Sequence, residues 1–137
     1  MDITIRHIDS NDYNGYLELL FELSQYKHNI DKLSFDNLLT NKNCIILVIE
    51  FDNKIIGAGS LFILNKLHCN PFGQIEDVVI KKEYRHLGLG KKIINQLVSI
   101  GKTKNCYKIV LNCLKNNIEF YNKCGFIEAG FQFKIIT

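Results

Sequence analysis

The turn at residues 84–91, with the sequence YRHLGLGK, has the composition of a phosphate-binding loop. Its glycines, Gly88 and Gly90, let the backbone bend and approach a ligand closely. The amphipathic stretch that follows should form a helix, whose first N–H groups and positive dipole end attract an anion. Arg85 and Lys91 add positive charge. The turn therefore predicts a pyrophosphate site, and an ordinary strand-to-helix turn that needs glycine for its geometry is the alternative.

Two adjacent carboxylates, Glu76 and Asp77, interrupt the apolar segment that precedes the turn. If residues 74–80 form a strand, alternation sends these two side chains to opposite faces of the sheet. A carboxylate beside a core costs free energy unless it finds donors or a cationic partner. An amine-bearing substrate and a structural salt bridge both satisfy this need, and the residues alone leave both open.

The elements that would position these residues begin with a strand near residues 3–8. Two helices are predicted next, over about 13–26 and after a Ser34 cap, because apolar residues recur there at helical spacing. Residues 44–51 and 55–64 are rich in branched apolar side chains and flank a short polar turn. They predict a β-hairpin.

Patterns in the second half of the chain predict a strand over 73–80, a helix over 88–102 and a strand over 108–113. A short helix capped by Asn116 and ended by Gly125 should follow, and then a last strand or strand pair over 126–136. The resulting order, βααβββαβαβ, combines hairpins with strand-helix-strand units. It predicts an α/β fold of the mixed α+β type, with a central mixed sheet flanked by helices. At 137 residues without a linker or repeat, a single domain is expected.

Composition narrows the class of protein. A hydrophobic content of 47% with 23% charged residues is typical of a globular chain, and the net charge of +3 gives no strong footprint for nucleic acid. Neither a secretory signal nor an apolar run long enough for a bilayer is expected. The odd number of cysteines without CxxC spacing favours a reduced cytoplasmic protein with buried thiols: Cys44, Cys69, Cys106, Cys113 and Cys124.

Four short motifs are more specific than the turn alone. They read IED at 75–77, RHLGLG at 85–90, CYKI at 106–109 and FYNKCGF at 120–126. Together they resemble the glucosamine 6-phosphate N-acetyltransferases, a family within the GNAT superfamily. The resemblance implies the GNAT acyl-CoA N-acyltransferase fold and direct, metal-free transfer of the acetyl group from acetyl-CoA to glucosamine 6-phosphate. It also implies a role in the synthesis of UDP-N-acetylglucosamine.

For the coenzyme, the resemblance implies backbone contacts from Val78, Val79 and Ile80 to the pantetheine arm and the thioester carbonyl. The residues implied to wrap the pyrophosphate are Arg85, His86, Leu87, Gly88, Leu89, Gly90 and Lys91. Asn112 and Asn117 are implied coenzyme contacts, with helix capping as the alternative for Asn117. Tyr121 is implied to protonate the departing thiolate, whereas Phe120 is expected in the core. No cysteine matches a nucleophile.

For the acceptor, the resemblance implies that Glu76 and Asp77 contact the hydroxyls and the amine, and one of them is the candidate base. The residues implied to contact the sugar ring or its phosphate are Ser24, Lys66, His68, Tyr107 and Lys108. A phosphate gives Lys108 a clear electrostatic partner, and a solvated surface lysine is the alternative.

Two positions depart from the family. Asn112 stands where the family has an aspartate, and an amide cannot accept a proton as a carboxylate does. Ile136 stands where an arginine contributes to phosphate binding, with Lys134 nearby. The departures keep two alternatives open, an acetyltransferase for another small amine and a non-catalytic acetyl-CoA-binding module.

The resemblance also implies a homodimer in which the last strand joins the partner and the sugar sites lie at the interface. Four apolar residues give that strand the character of an interface: Phe131, Phe133, Ile135 and Ile136. An ordinary edge strand is the alternative.

Overall fold

A computed structural model describes all 137 residues and contains one five-stranded sheet. The strands are β1 Thr4–His7, β2 Cys44–Phe51, β3 Lys54–Leu64, β4 Phe72–Ile80 and β5 Ile109–Val110. The helices are α1 Tyr13–Ser24, α2 Lys32–Leu39, α3 Leu89–Thr103 and α4 Ile118–Lys123. The strands lie in chain order, with β1 to β4 antiparallel and β5 parallel to β4. The predicted mixed fold is confirmed.

Alternation along β2 divides the interior into two cores. Ile45, Leu47 and Ile49 pack with α3, whereas Ile46 and Val48 pack with α1 and α2 on the other face. Each fully buried branched side chain contributes about 1.5–3 kcal/mol, so both helix layers are held firmly on the sheet. None of the helices has the length and apolar character that crossing a membrane requires.

Local backbone chemistry sets the ends of the first elements. α1 stops at Ser24, short of the predicted end, because Gln25 adopts a left-handed conformation with φ of 62°. Asp31, rather than Ser34, caps α2, since its Oδ1 atom accepts the Ser34 N–H at 2.7 Å. The hairpin between β2 and β3 turns through Asp52 and Asn53, both at positive φ, as a two-residue turn requires.

Two predictions in the second half need correction. β5 covers only Ile109–Val110 instead of residues 108–113, because it pairs with β4 at Gly73 and Gln74 and then diverges from it. Asn116 does not cap α4: the helix follows a 3-10 turn, and Asn117 occupies the cap position without a side-chain bond. Gly125 ends this region at φ of 94°, as predicted.

The predicted strand over 126–136 is absent from the single chain. Residues 126–137 pair with no strand. Phe126 is half-buried against the core on the α3 side, but the apolar side chains after it face solvent, with Phe133 93% exposed. A strand needs a neighbour to satisfy its backbone N–H and C=O groups, and this segment has none within the chain. An exposed row of apolar side chains is the usual mark of an interaction surface.

The cysteines are less buried than the sequence predicted. Cys69 and Cys113 are exposed, the other three are half-buried, and none forms a disulfide. The expectation of buried structural thiols is wrong for Cys69 and Cys113, which lie in connections between elements. Cys44, Cys106 and Cys124 pack against the two cores without being fully buried.

An ion-pair network fixes the start of α1 to the sheet. Arg6 donates from its two terminal nitrogens to Asp12 at 2.8 and 2.9 Å, and from Nε to Glu50 at 3.1 Å. Burial alone would raise the pKa of Asp12, but the bonds from Arg6 and from the Asp9 N–H outweigh burial and lower it. The network orients α1, whose last residue is a candidate site residue.

Candidate active site

A β-bulge in β4 sets the geometry of the site. Ala58 pairs with Val79 and Ser60 pairs with Glu76, so the two residues between them on β4 face only Gly59 on β3. Asp77, the first of these two, has a φ of 53°, which a non-glycine residue seldom adopts. Bulges bend a strand and re-aim its side chains, often beside an active site.

The bulge brings the carboxylates of Glu76 and Asp77 to one face of the sheet. Ile75 packs in the α3 core, so Glu76 points to the opposite side, where the Gln74 Nε2 atom donates to it at 3.1 Å. Asp77 faces the same side, towards Tyr16 of α1. Burial raises the pKa of Tyr16 to about 12, and the nearby charge of Asp77 adds to that rise. The prediction of opposite faces is wrong, since it assumed a regular strand.

Neither carboxylate is neutralised within the chain. Every ion pair in the structure involves other residues, so the salt bridge left open by the sequence is absent. Solvent reaches part of Asp77, yet its partial removal from water raises its pKa, and the charge of His28 offsets some of that rise. A carboxylate with a raised pKa is a better proton acceptor than an ordinary aspartate.

The edge of β4 that faces β5 is open beyond Gln74. Since the two strands pair only at Gly73 and Gln74, no strand lines this edge over residues 75–80. The predicted backbone contacts Val78, Val79 and Ile80 all lie on this stretch. An extended ligand with amide groups can add to such an edge as a strand does, which fits a pantetheine arm.

The glycine loop leads into α3 with free N–H donors. The first helical bond runs from the Lys92 N–H to the Gly88 carbonyl at 3.2 Å, so the N–H groups of residues 89–91 have no helical acceptor. Gly88 has φ of 80°, which favours glycine, and no side chain caps the helix. Arg85 donates from Nε to the Ile80 carbonyl at 3.0 Å and so closes the loop onto β4. The donor set suits a pyrophosphate.

Tyr121 lies half-buried on α4 between two aromatic rings. Its ring centroid is 5.0 Å from that of Phe120 and 6.1 Å from that of Phe126, both in edge contacts. Burial raises the pKa of the Tyr121 hydroxyl, and the nearby sulfurs of Cys113 and Cys124 act in the same direction. The hydroxyl therefore carries its proton at neutral pH and can donate it.

Phe120 is not a core residue, because 37% of it is exposed. It covers the glycine loop instead: a Cβ atom added at Gly90 would lie 3.2 Å from Cζ of Phe120. Asn112 and Asn117 are exposed and make no side-chain hydrogen bond within the chain. The capping alternative for Asn117 is therefore wrong, and a coenzyme contact stays a prediction for both.

Two unpaired lysines converge on Phe72 at the start of β4. The Nζ atoms of Lys66 and Lys108 each lie 5.1 Å from the ring centroid of Phe72. Tyr107 packs against the same ring at 6.4 Å, and its N–H bonds to the Pro71 carbonyl at 3.0 Å. Neither lysine forms an ion pair, and an anion between the two ammonium groups would relieve their repulsion. Sequence reasoning found three of these residues but missed Phe72.

Ser24 lies at the end of α1 and contacts a residue that sequence reasoning missed. Its Oγ atom lies 2.8 Å from Nε2 of His28, in the loop between α1 and α2. The charge of His28 also lowers the pKa of Asp77, against the larger effect of burial. His68 is exposed in the loop before β4 and makes no hydrogen bond or ion pair, so the structure does not join it to the site.

Known proteins are similar to this chain over nearly its whole length. The sequence pattern of the acetyltransferase (GNAT) family matches residues 5–126. Glucosamine 6-phosphate N-acetyltransferase 1 of Dictyostelium discoideum is 38% identical over 141 aligned residues, which cover 97% of this chain and 90% of the relative. The glucosamine 6-phosphate N-acetyltransferase of Arabidopsis thaliana is 34% identical over 93% of this chain and 92% of the relative.

Solved structures of acetyltransferases have the same overall fold as this chain. The crystal structure of glucosamine-6-phosphate N-acetyltransferase from Arabidopsis thaliana matches with a TM-score of 0.91 and 31% identity, over 99% of both chains. A Trypanosoma brucei acetyltransferase matches with the same TM-score of 0.91 and 29% identity, over 99% of this chain and all of the other. The overall fold is therefore shared with these two acetyltransferases.

Proposed function

The chain belongs to the acetyltransferase (GNAT) family, and we propose that it transfers the acetyl group of acetyl-CoA to the amine of glucosamine 6-phosphate. The observation that carries this proposal is the pair of uncompensated carboxylates, Glu76 and Asp77, on one face beside the open edge of β4. An ammonium group is the natural partner of two such carboxylates. Relatives named for this reaction, which match over nearly their whole length, support it.

Acetyl-CoA supplies an acetyl group already activated as a thioester, so the proposal needs no metal. The residues that fit this co-substrate are backbone groups along 78–80 and the free N–H donors of 89–91. Fixed backbone donors near Val78 would stabilise the negative charge that develops on the thioester oxygen. Their effect does not depend on the side chain, which suits an apolar segment.

The acceptor lies, in this proposal, on the face that carries the carboxylates. Asp77 accepts a proton from the amine, because its raised pKa makes it the better base of the pair. Glu76, held by Gln74, orients the amine and a hydroxyl. Lys66 and Lys108 bind the phosphate, which places a double negative charge between two unpaired cations.

Tyr121 protonates the sulfur that leaves when the new amide bond forms. Its hydroxyl stays protonated at neutral pH because burial raises its pKa. The nitrogen attacks the thioester directly, and no cysteine serves as a nucleophile. Over the whole reaction the ammonium nitrogen loses two protons, of which one ends on the thiol and the other is released.

The departures at Asn112 and Ile136 are compatible with this scheme. Asn112 is exposed and is not needed as a base if Asp77 takes the proton. Ile136 lies in the exposed tail, and the lysine pair around Phe72 supplies positive charge for the phosphate in place of the missing arginine. The scheme therefore relies on Asp77 and the two lysines, which the resemblance also implies, and it needs neither a carboxylate at position 112 nor an arginine at position 136.

The domain organisation, the oligomeric state and the cellular location are also part of the proposal. One domain carries the activity, and the exposed apolar tail at 127–137 pairs with a second copy to form a homodimer. The protein works in the cytoplasm, where its product feeds the synthesis of UDP-N-acetylglucosamine. The support for the dimer is the row of exposed apolar side chains without a strand partner.

Coenzyme A release by the purified protein tests the proposed function. The assay compares glucosamine 6-phosphate, glucosamine and a panel of unrelated amines, each with acetyl-CoA. We expect release with glucosamine 6-phosphate and much less with the other amines. Preference for another amine would reassign the acceptor, and acetyl-CoA binding without any release would make the chain a non-catalytic binding module.

A further inference from the structure

The segment that joins β4 to the glycine loop is held by a side chain of α1. Residues 82–84 form a 3-10 turn directly after Lys81, and no side chain of the segment itself caps that turn. The first N–H groups of such a turn have no acceptor within it. Oε1 of Glu22 accepts the N–H of Lys82 at 3.1 Å. Glu22 therefore does for this turn, from a distant element, what a capping side chain does for a helix.

The loop that follows the turn needs to be held. His86 has a φ of 64° and Gly88 a φ of 80°. Glycine adopts such a φ without strain, whereas a strained residue such as His86 persists only where the surrounding structure holds the chain. The bond from Arg85 Nε to the Ile80 carbonyl, at 3.0 Å, holds the loop from the side of β4. Glu22 holds its beginning from the side of α1.

Glu22 projects from a rigid support. Leu19, which lies one turn earlier on α1, is fully buried between the helix and the sheet. The start of α1 is fixed by the bonds from Arg6 to Asp12 at 2.8 and 2.9 Å. A side chain on a helix that is fixed at both points can place the group it binds more precisely than a side chain on a loop.

The second oxygen of Glu22 shows that this contact is not simply a stabilising one. Oε2 is buried and has no hydrogen-bond partner in the chain. A carboxylate oxygen that loses water without gaining a donor costs free energy, and exceptions of this kind call for an explanation. We infer the explanation from the bond that the other oxygen makes, because that bond sets the position of Lys82.

We propose that Glu22 is a positioning residue for the coenzyme. Its bond to the Lys82 N–H fixes where the glycine loop begins, and so holds residues 85–88 in the shape that receives the pyrophosphate of acetyl-CoA, beside the free N–H donors of residues 89–91. This inference rests on the proposed function. Glu22 touches no reacting atom in this scheme. Its effect should be limited to the phosphate-bearing part of the coenzyme and should spare the pantetheine arm at residues 78–80.

Two acetyl donors separate this role from a general structural one. S-acetylpantetheine keeps the thioester and the arm but lacks the pyrophosphate that acetyl-CoA carries. With glucosamine 6-phosphate as acceptor, Glu22→Ala should lower kcat/KM for acetyl-CoA about tenfold, through KM, because a hydrogen bond to a charged group is lost. The value for S-acetylpantetheine should equal that of the wild type. Equal losses with both donors, or no loss with either, would overturn the proposal.

Two further variants serve as controls. Glu22→Gln keeps an oxygen that can accept the same N–H, so it should restore most of the lost kcat/KM. A loss as large as that of Glu22→Ala would overturn the proposal. Glu18→Ala is the matched control, because Glu18 lies one turn earlier on α1 and reaches the segment through an ion pair to Lys81 at 3.3 Å in which it is 68% exposed. Alanine favours helix, so neither alanine variant weakens α1.

Two readouts do not depend on turnover. In calorimetry, the Kd of coenzyme A should rise about tenfold in Glu22→Ala and stay unchanged in Glu18→Ala. In hydrogen exchange, the Lys82 N–H should be protected in the wild type and should exchange faster in Glu22→Ala. Rapid exchange in the wild type would overturn the proposal even if Glu22→Ala does not fold. A wild type that binds coenzyme A without acetylating glucosamine 6-phosphate would refute the proposed function alone, and calorimetry would still decide the role of Glu22.

Discussion

The carboxylates of Glu76 and Asp77 lie on the same face of the sheet although the two residues are neighbours in β4. A regular strand would have placed them on opposite faces. The extra residue of the bulge interrupts the alternation, so that two neighbouring side chains lie on one face. The positive φ of Asp77 is part of this local distortion of the backbone. An irregularity of the backbone thus brings two negative charges together beside the open edge.

Replacing Asp77 by asparagine should lower kcat about 100-fold, because the amide keeps the size of the side chain but cannot take a proton. Steady-state assays with glucosamine 6-phosphate measure the effect. Asp52→Asn is the matched control, since Asp52 lies in the β2–β3 turn at a positive φ that asparagine also adopts. A kcat of Asp77→Asn equal to that of the wild type would show that Asp77 is not the base.

Tyr121→Phe should lower kcat by about 100-fold through loss of the proton donor, with little effect on the KM of either substrate. Since the pKa of Tyr121 is raised, this hydroxyl should stay protonated at every pH lower than about 10, and its ionisation should not reduce the wild-type rate in that range. A pH-rate profile measures both effects. Tyr26→Phe, at a tyrosine that is 74% exposed, is the control. Equal rates for Tyr121→Phe and Tyr26→Phe would exclude the role.

Lys108→Met should raise the KM for glucosamine 6-phosphate about tenfold, the equivalent of roughly 1.4 kcal/mol, by removing one of two charges on the phosphate. Phe72→Leu should raise it about threefold, because the ring holds both ammonium groups by contacts worth about 0.5–1 kcal/mol. Weak turnover of glucosamine, which has no phosphate, should change in neither variant. Lys42→Met, at an exposed lysine before β2, is the control. Equal effects on both sugars would argue against a phosphate site.

The network around Arg6 predicts the behaviour of the protein in acid. The pKa of Asp12 is lower in the folded state than in the unfolded chain, so its contribution to stability is present above about pH 4 and is lost as the pH falls through the folded pKa. Asp12→Asn should reduce the free energy of unfolding by about 1–3 kcal/mol at neutral pH. The difference from the wild type should narrow in acid, as urea unfolding at several pH values would measure. Asp2→Asn, at an exposed aspartate, should have no such effect.

The exposed tail predicts the oligomeric state. Wild-type protein should have about twice the chain mass of 15.8 kDa in solution, because a second copy provides the partner that the tail lacks. Replacing Phe131 and Phe133 by aspartate should give a monomer, which light scattering would detect. Leu33→Asp, on the outer side of α2, is the control at an exposed leucine outside the tail. A monomeric wild type at assay concentration would exclude the homodimer.

Features that depend on local chemistry could be predicted from the sequence. The β2–β3 hairpin follows from branched residues around Asp52 and Asn53, and α3 follows from an apolar face that begins just after Gly88. Gly125 was predicted to end α4 because glycine adopts positive φ without strain. The glycine loop followed from the same kind of local pattern, whereas Tyr121 was identified only through the resemblance to a known family.

Features that depend on contacts between distant elements could not be predicted. The bulge at Asp77 has no local signal, because its residues read as an ordinary strand. Phe72 gains its role from lysines in two other segments of the chain. The length of β5 and the conformation of the tail depend on whether a neighbouring strand is present. Each of these is a property of the assembled fold.

In the proposed reaction the two substrates use different parts of β4: the coenzyme binds main-chain groups at one edge, and the acceptor binds side chains on one face. Acceptor specificity can therefore change without a change in coenzyme binding. Because main-chain groups on the open edge of β4 bind acetyl-CoA in this scheme, side-chain substitutions there should be tolerated as long as the strand persists. In the same scheme the acceptor contacts side chains on one face of the sheet, among them Phe72 and Glu76. If the proposed function holds, a library of variants confined to that face should yield acceptance of new amines without loss of acetyl-CoA binding.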